Sequence, residues 1–452
     1  MSTREGAPVQ SLRECRGYGR LWSAAVTSAF GTYITTLAIQ VLVVDTLGGS
    51  GTDVGLVNAA RWLPYLLFGL LAGVLVDRVR RRPVMVTTDV VCALVLAVIP
   101  LLAATGHLHL GWVMAAMAVF GTATLIGDAA SQSFLPRVVP RPLLGAAHAR
   151  IDQADAVAQG SGPALAGAVI SVLGAPLAVL IDAASYLASA VMVATIRLRE
   201  PATPRSQPEQ APLSTGAASG GLRNAVRGIG RDVREGLRWV YRHPTLLPFA
   251  VSTHIWFACS AIAGAVLAPL ALRDLGLSAA TFGLATTAAG LGALAGATVA
   301  VRLGRRWGAG RVIIATQAGT GLAWAVMATA PVLVPAGGGS GSWAGGAGWG
   351  VFAAGQLLLG LCMGASNANE MSYRQTVTPD RLQGRMNVTM RSFNRAAIVV
   401  AAPLGGLLGD AAGYSVALVV AATVVIITAA VATSSKLRGA HLGDRYAVAD
   451  PT

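Results

Sequence analysis

Apolar stretches long enough to cross a lipid bilayer recur along nearly the whole chain, and they constrain the fold more than any other feature. A helix of about 20 apolar residues spans the roughly 30 Å of hydrocarbon in a bilayer. Of the 452 residues, 54% are hydrophobic and 12% are charged, about half the charge of a soluble domain. The sequence therefore predicts an all-α membrane protein. Hydropathy alone indicates spans at residues 21–47, 54–77, 83–104, 109–131, 175–196, 246–272, 278–301, 311–332, 349–371 and 414–435.

An internal repeat indicates two further spans that hydropathy hides. Gly162-Pro163 in the first half of the chain is matched by Ala402-Pro403 in the second half. This match predicts helices at 145–171 and 385–409, although charged residues within each of them lower its hydropathy. The chain is thus expected to form twelve transmembrane helices in two six-helix bundles, related as parallel repeats.

The positions of the arginines predict the orientation in the membrane. Every second loop between spans holds several arginines, whereas the intervening loops hold only Arg273. Cytoplasmic loops carry the excess of Arg and Lys, so both termini are predicted to be cytoplasmic and the protein to reside in the cell membrane. The predicted organisation is a cytoplasmic N-terminal segment (1–20), a first bundle (21–197), a cytoplasmic linker (198–244), a second bundle (245–435) and a cytoplasmic tail (436–452).

The linker contains a basic amphipathic segment. Apolar residues from Leu222 to Val240 recur at spacings of three and four, with arginines on the other faces. This pattern predicts a helix that lies on the inner membrane surface. The net charge of +14 is therefore interpreted as an orientation signal with some attraction to membrane lipid, and not as a nucleic-acid site.

The loop between the second and third spans carries an acidic residue followed by clustered arginines, which cannot lie in hydrocarbon. It resembles the loop Gly-x-x-x-Asp-Arg-x-Gly-Arg-Arg of the major facilitator superfamily, except that Arg80 replaces the second glycine. The resemblance implies alternating access between two bundles, with this loop as a gate on the cytoplasmic side. The matching residues are Gly73, Asp77, Arg78, Arg81 and Arg82.

The fifth span resembles the Gly-Pro-x-x-Gly-Gly signature of exporters in that superfamily. Glycines allow close helix contact, and a proline bends a helix by removing one backbone hydrogen bond. The eighth span offers a matching small face at Gly292 and Gly296. A packing helix that is merely rich in glycine is the alternative. The signature residues are Gly160, Gly162, Pro163 and Gly167.

Together these motifs make the chain similar to the bacterial efflux branch, which includes enterobactin-type siderophore exporters and macrolide efflux proteins. The resemblance implies export of an amphipathic small molecule, such as a drug, an antibiotic or a siderophore-like compound, by proton antiport. A proton-coupled importer of a small metabolite with the same fold remains the alternative.

Ionisable groups inside a membrane are costly, so each one is a functional candidate. Asp155 is the acid nearest the midplane on the fifth span and is the leading proton carrier, with a fixed ion pair as the alternative. Asp152 and Asp155 lie at depths that match Arg391 and Arg395 on the eleventh span, so these groups are expected to pair between the bundles. The sixth span is peripheral in the superfamily, which makes an acid there a weak candidate. Weaker candidates are Asp45, Asp182 and His254.

The resemblance assigns the substrate cavity to the first, fourth, seventh and tenth spans. The side chains there are mainly apolar, aromatic or Met, with few polar anchors, which suits a large amphipathic ligand. The predicted lining includes Phe30, Tyr33, Gln40, Met117, Phe120, Trp256, Phe257, Gln356, Met363 and Asn367.

Other classes of protein fit the sequence less well. The single lysine, Lys436, rules out the Gly-Lys-Ser/Thr of a nucleotide-binding P-loop. The four cysteines have no C-x-x-C spacing and the six histidines are scattered, so no metal, no cofactor and no enzyme site are predicted. A receptor or scaffold would not need opposite charges at matched depths. The expected partners are the small-molecule substrate, protons and membrane lipid, with the chain acting as a monomer.

Overall fold

In a computed structural model of the protein, the described residues are 11–77, 79–198, 222–333 and 346–441. Within them the chain is helical and contains no strand. Short π-helical turns extend α1 to Thr46 and α8 to Asp274. The helices are α1 (Tyr18–Val41), α2 (Gly51–Asp77), α3 (Arg81–Ala104), α4 (Leu110–Val138), α5 (Leu144–Leu173), α6 (Ala175–Ala194), α7 (Leu222–Arg242), α8 (Leu246–Pro269), α9 (Ala279–Trp307), α10 (Ala309–Thr329), α11 (Gly346–Val377), α12 (Asp380–Ala412) and α13 (Tyr414–Thr433).

The predicted all-α membrane fold is confirmed. Eleven helical segments among the described residues have the length and composition of a membrane span. They include Arg141–Leu173 and Arg381–Ala412, which contain the two spans that only the internal repeat revealed. At the second predicted span, α2 is one continuous helix of 27 residues, but it is not among the eleven, so the count of twelve stays a prediction.

The two halves of the chain pack their helices in the same way. In the first half, α1 contacts α5 and α6, α3 contacts α4 and α6, and α2 contacts α4. In the second half, α8 contacts α12 and α13, α10 contacts α11 and α13, and α9 contacts α11. Because α7 lies between the halves in the chain, each pair of the first half has its counterpart seven helices later. Two crossings join the halves most extensively, α2 with α12 and α5 with α9.

The amphipathic helix α7 packs against protein, whereas the sequence predicts a helix on the membrane surface. Val240 is fully buried, and Gly236 lies against Thr389 and the backbone of Arg385 on α12. Glu235 forms an ion pair with Arg385, at 2.5 Å. The C-terminal part of α7 is therefore held against the second half through Gly236 and Val240.

The turn between α7 and α8 is held by His243. Its Nδ1 atom accepts hydrogen bonds from the backbone N–H groups of Thr245 and Leu246, both at 3.3 Å. Burial lowers the pKa of His243, which favours the neutral ring that this acceptor role requires. The turn thereby joins α7 firmly to the first helix of the second half.

Candidate functional site: a charged cavity in the first half

A large cavity lies among the described helices of the first half. Its volume is about 660 Å³, in the range of roughly 300–1,000 Å³ that is usual for small-molecule sites. Helices α1 to α6 supply its wall, and Gly264 of α8 completes it among the described residues. The wall extends from Leu21 and Val193, near the predicted cytoplasmic ends of their helices, to Val43 and Val54 near the opposite ends. The cavity therefore follows most of the depth of the first half.

Charged side chains line this cavity in addition to apolar and aromatic ones. Arg61 of α2 and three carboxylates, Asp89, Asp128 and Asp155, belong to the wall. The predicted lining is drawn from four spans of the superfamily's central cavity, whereas these charged groups come from α2, α3 and α5 and from the predicted cytoplasmic part of α4. The predicted lining residues found in this wall are Tyr33, Gln40 and Met117.

The second half contains a much smaller pocket, of about 60 Å³, next to Glu370 of α11. Gln356 and Phe120 are 4% and 0% exposed in the helix packing, and Phe30 is half-buried. These three side chains line neither of the two cavities described. The predicted lining residues found at the small pocket are Trp256, Phe257, Met363 and Asn367.

Asp155 lies in the wall of the large cavity, where the Tyr33 hydroxyl is 3.5 Å from its Oδ2 atom. Asp152, nearly one turn earlier, is exposed and does not line the cavity. The matched depths predict ion pairs of these aspartates with Arg391 and Arg395. Within the described ranges, neither aspartate forms such a pair. The physical reason is the helix packing, because α12 contacts α2 whereas α5 contacts α9.

Arg395 instead reaches from the second half to α2 of the first. Its guanidinium carbon lies 3.7 Å from the centroid of the Trp62 ring and 5.6 Å from that of Tyr65. The Tyr65 hydroxyl donates a hydrogen bond to Asp128 Oδ2, at 3.0 Å. Arg391, one turn before Arg395, is exposed. A chain of contacts through α12, α2 and α4 thus joins the two halves beside the cavity.

At the predicted outer side, two charges of the second half bind the α1–α2 turn of the first. The Asp410 carboxylate accepts hydrogen bonds from the backbone N–H groups of Gly51 and Thr52, at 2.8 and 2.9 Å. These groups begin α2, where a negative charge is favoured by the helix dipole. Arg273 donates to the carbonyl oxygen of Gly49, at 2.8 Å. We refer to the bonds of Asp410 and Arg273 to this turn as the outer contact.

The glycines of the fifth predicted span lie in α5 at its crossing with α9. Gly167 lies against the backbone of Ala279 and Ala280, and Gly283 against the backbone carbonyl of Pro163. Gly160 lies close to Gly290 on α9. Side chains at these positions would keep the two helices apart.

Two details of this helix pairing differ from the sequence prediction. Gly162 faces Tyr33 of α1 rather than α9. Gly292 and Gly296 lie against the backbone of α11, near Leu357 and Leu361. The face of α9 that meets α5 carries Gly283 and Gly290, because residues two positions apart in a helix point in different directions.

The remaining candidates lie away from the large cavity. His254 Nδ1 is 2.6 Å from Asn394 Oδ1, and His254 Nε2 is 2.9 Å from the Tyr241 hydroxyl of α7. Both ring nitrogens thus have partners between α7, α8 and α12. Asp45 is exposed at the end of the first span. Neither side chain is placed to contact a substrate in the large cavity.

The predicted cytoplasmic gate is described only in part. Gly73 lies in α2 and Arg82 donates to the backbone carbonyl of Ala194 on α6, within the first half. Arg81 begins α3. The side chain of Asp77 and the whole of Arg78 lie outside the described residues, as does most of the Gly-rich segment 336–350.

Two acidic residues have surroundings that no sequence motif indicates. Asp182 of α6 is completely buried, although the sixth span was expected to be peripheral. Asp410 lies in the last turn of α12, whereas the sequence predicts a short outer loop at this position. Its role depends on a helix N-terminus far away in the chain, and no local pattern signals such a partner.

Comparison with known proteins agrees with this architecture. Residues 12–449 match the family model described as transmembrane secretion effector. The chain therefore belongs to this family of major facilitator superfamily transporters, in the efflux branch, and is a multi-pass membrane protein.

Two curated relatives carry transport names. The multidrug efflux pump Tap of Mycolicibacterium fortuitum is 26% identical over 403 residues, 86% of this chain and 88% of that protein. Macrolide efflux protein A of Streptococcus pyogenes is 24% identical over 178 residues, which cover 39% of this chain and 44% of that protein.

Two solved structures share the fold. A bacterial homologue of the human lysosomal transporter Spinster, in an inward-facing and unoccupied conformation, superposes with a TM-score of 0.69 at 13% identity, covering 96% of this chain and 99% of that one. A bacterial homologue of the iron transporter ferroportin, in an inward-facing state, gives a TM-score of 0.68 at 15% identity, covering 94% of this chain and all of that one.

Proposed function

We propose that this transporter exports an amphipathic small molecule by alternating access, in exchange for protons. The observation that carries the proposal is the charged cavity of about 660 Å³ within the membrane-spanning helices of the first half. Its aromatic and aliphatic lining suits the body of an amphipathic compound, and its polar groups can orient the compound. The efflux names of the relatives support export over import.

The conformation fits the stage at which such a compound enters from the cytoplasm. The outer contact ties the halves together at the predicted outer side, and the cavity wall extends toward the predicted cytoplasmic ends. We assign the inward-facing state, which is also the state named for two structural neighbours. Movement outward then requires the outer contact to break, and the loop of Gly73, Asp77, Arg78, Arg81 and Arg82 remains the proposed cytoplasmic gate.

Asp155 is the proposed site of exchange between substrate and proton, because it lies in the wall beside Tyr33. In proteoliposomes, Asp155→Asn should strongly reduce the proton movement that substrate drives, since the amide cannot carry the proton. Asp152→Asn is the matched control, because Asp152 is on the same helix but does not line the cavity. Equal proton movement in the wild type and in Asp155→Asn would exclude this role.

The direction of transport needs a separate experiment. Toxic amphipathic compounds should accumulate less in cells that express the protein than in cells that do not. Counterflow in oriented vesicles distinguishes the alternative of import, because an importer would concentrate its substrate on the cytoplasmic side. Asp77→Asn should impair transport without loss of membrane insertion, and normal transport in that variant would remove the gate from the mechanism.

A further inference from the structure

Asp182 is an acidic side chain enclosed within the first half. It is 0% exposed, on α6 where that helix contacts α1 and α3. Its Oδ1 atom accepts a hydrogen bond from Ser185, at 2.9 Å, and its Oδ2 atom makes no hydrogen bond to any described residue. Gly31 of α1 lies directly over the carboxyl group, and a Cβ atom there would overlap it. The glycine therefore leaves the space that the carboxyl group occupies.

The surroundings of Asp182 favour a neutral carboxylic acid. An ionised carboxylate without a paired cation is strongly disfavoured in such an environment, and the described residues form no ion pair with it. The titratable or charged groups that interact with it from the packed helices are Arg61 on α2, Cys92 on α3 and Tyr186 on its own helix. Of these, Arg61 is the cation that can stabilise the ionised form.

The carboxyl group lies directly behind the wall of the large cavity. Thr35, Cys92 and Tyr186, which adjoin Asp182, are themselves wall residues. The Tyr186 hydroxyl is 3.0 Å from the Thr32 hydroxyl in that wall. Arg61 is held in the same wall by a hydrogen bond to Thr36, at 3.1 Å. Hydroxyl groups thus separate Asp182 from the space that a substrate would fill.

We propose that Asp182 is a second proton-binding site, which holds a proton in the present conformation and releases it to the cavity when substrate enters. The proton leaves the carboxyl oxygen for a neighbouring wall hydroxyl group, which passes a proton on to water in the cavity, and the carboxylate that remains is stabilised by Arg61. The release step rests on the proposed function, whereas the presence of a protonated carboxyl group does not.

Infrared spectroscopy of the purified protein at neutral pH tests the presence of the proton. The wild type should show the C=O band of a protonated carboxyl group shielded from water, and aspartate labelled with ¹³C should shift it. Asp182→Asn should lose this band, whereas Asp155→Asn should keep it. Ser185→Ala, which removes the donor to Oδ1, should shift the band and provides a second variant if Asp182→Asn does not fold. A band that is unchanged in Asp182→Asn, or in Ser185→Ala where Asp182→Asn does not fold, overturns the site.

Proton release is measured separately with a pH indicator on addition of a transported compound. Asp182→Asn should lose part of the release, with the affinity for the compound unchanged, and Asp182→Glu should restore it. Full release in a folded Asp182→Asn variant overturns the coupling role of Asp182. If the wild type shows the band but releases no proton, the proposed antiport fails while the protonated site stands.

Discussion

The two crossings that join the halves occupy equivalent positions in the repeat but are built from different chemistry. At the α5–α9 crossing, backbone lies against backbone through Gly167 and Gly283. The α2–α12 crossing also brings backbones together, with Gly55 against Ala402. It adds charged contacts that the α5–α9 crossing lacks among the described residues, through Asp410 at its outer end and Arg395 beside the cavity.

This difference suggests a division of roles in the transport cycle. Packing between glycines is short-ranged and requires one fixed distance between the two helix axes. A crossing of this kind can therefore serve as the pivot about which the halves turn. Hydrogen bonds that a helix N-terminus donates to a carboxylate can be replaced by bonds to water when that end opens. We therefore expect α5–α9 to keep its contacts during the cycle, and α2–α12 to break and re-form its outer ones.

The largest effect is expected at the glycine crossing. Gly167→Val places a branched side chain against the Ala279 carbonyl and the Ala280 backbone, and overpacking of this kind costs about 1–3 kcal/mol. Transport should be lost and thermal stability lowered. Gly145→Val on the same helix is the control, since a Cβ there meets nothing within 4 Å. Equal transport in the two variants would contradict the proposed role of this crossing.

A smaller effect is expected at the outer contact. Asp410→Asn removes the charge that two N–H groups of α2 bind, which stabilises the closed outer end by about 1–2 kcal/mol. The variant should shift toward an outward-open state, measured as longer distances between spin labels placed on the outer ends of α2 and α12. Asp53→Asn is the control, because the Asp53 carboxylate accepts from Ser50 within the first half. Unchanged distances in Asp410→Asn would show that the outer contact does not hold this state.

Hydropathy and the internal repeat predicted the helices well, including the polar segment that contains Asp152, because both signals are contained in the chain itself. The sequence did not predict how each helix is turned about its axis. Gly292 was paired with α5 on composition, yet it faces α11, and a face cannot be assigned until the neighbouring helices are known. The cavity wall shows the same limit, since Asp89 and Asp128 reach it only through the packing of the first half.

Partners across the two halves were the least predictable feature. Matched depth predicts a partner for Arg395 on α5 of the other half, but depth alone cannot distinguish α5 from α2. The expected carboxylate partner was therefore replaced by the Trp62 ring. A guanidinium can be stabilised by either kind of group, so the charge alone did not determine its neighbour.

The smallest effect is expected at this cation–π contact. Arg395→Gln removes the cation from the Trp62 ring, and a double-mutant cycle with Trp62→Leu should give a coupling energy of about 0.5–2 kcal/mol in thermal stability. Arg395→Lys should recover part of it, since an ammonium keeps the charge but not the planar stacking. Arg391→Gln is the matched control, one turn earlier and exposed, and it should show no coupling to Trp62. A coupling energy near zero for Arg395 would mean that charged groups stabilise the α2–α12 crossing only through the outer contact. Halfway along its depth, this crossing would then be held by backbone packing, as the α5–α9 crossing is.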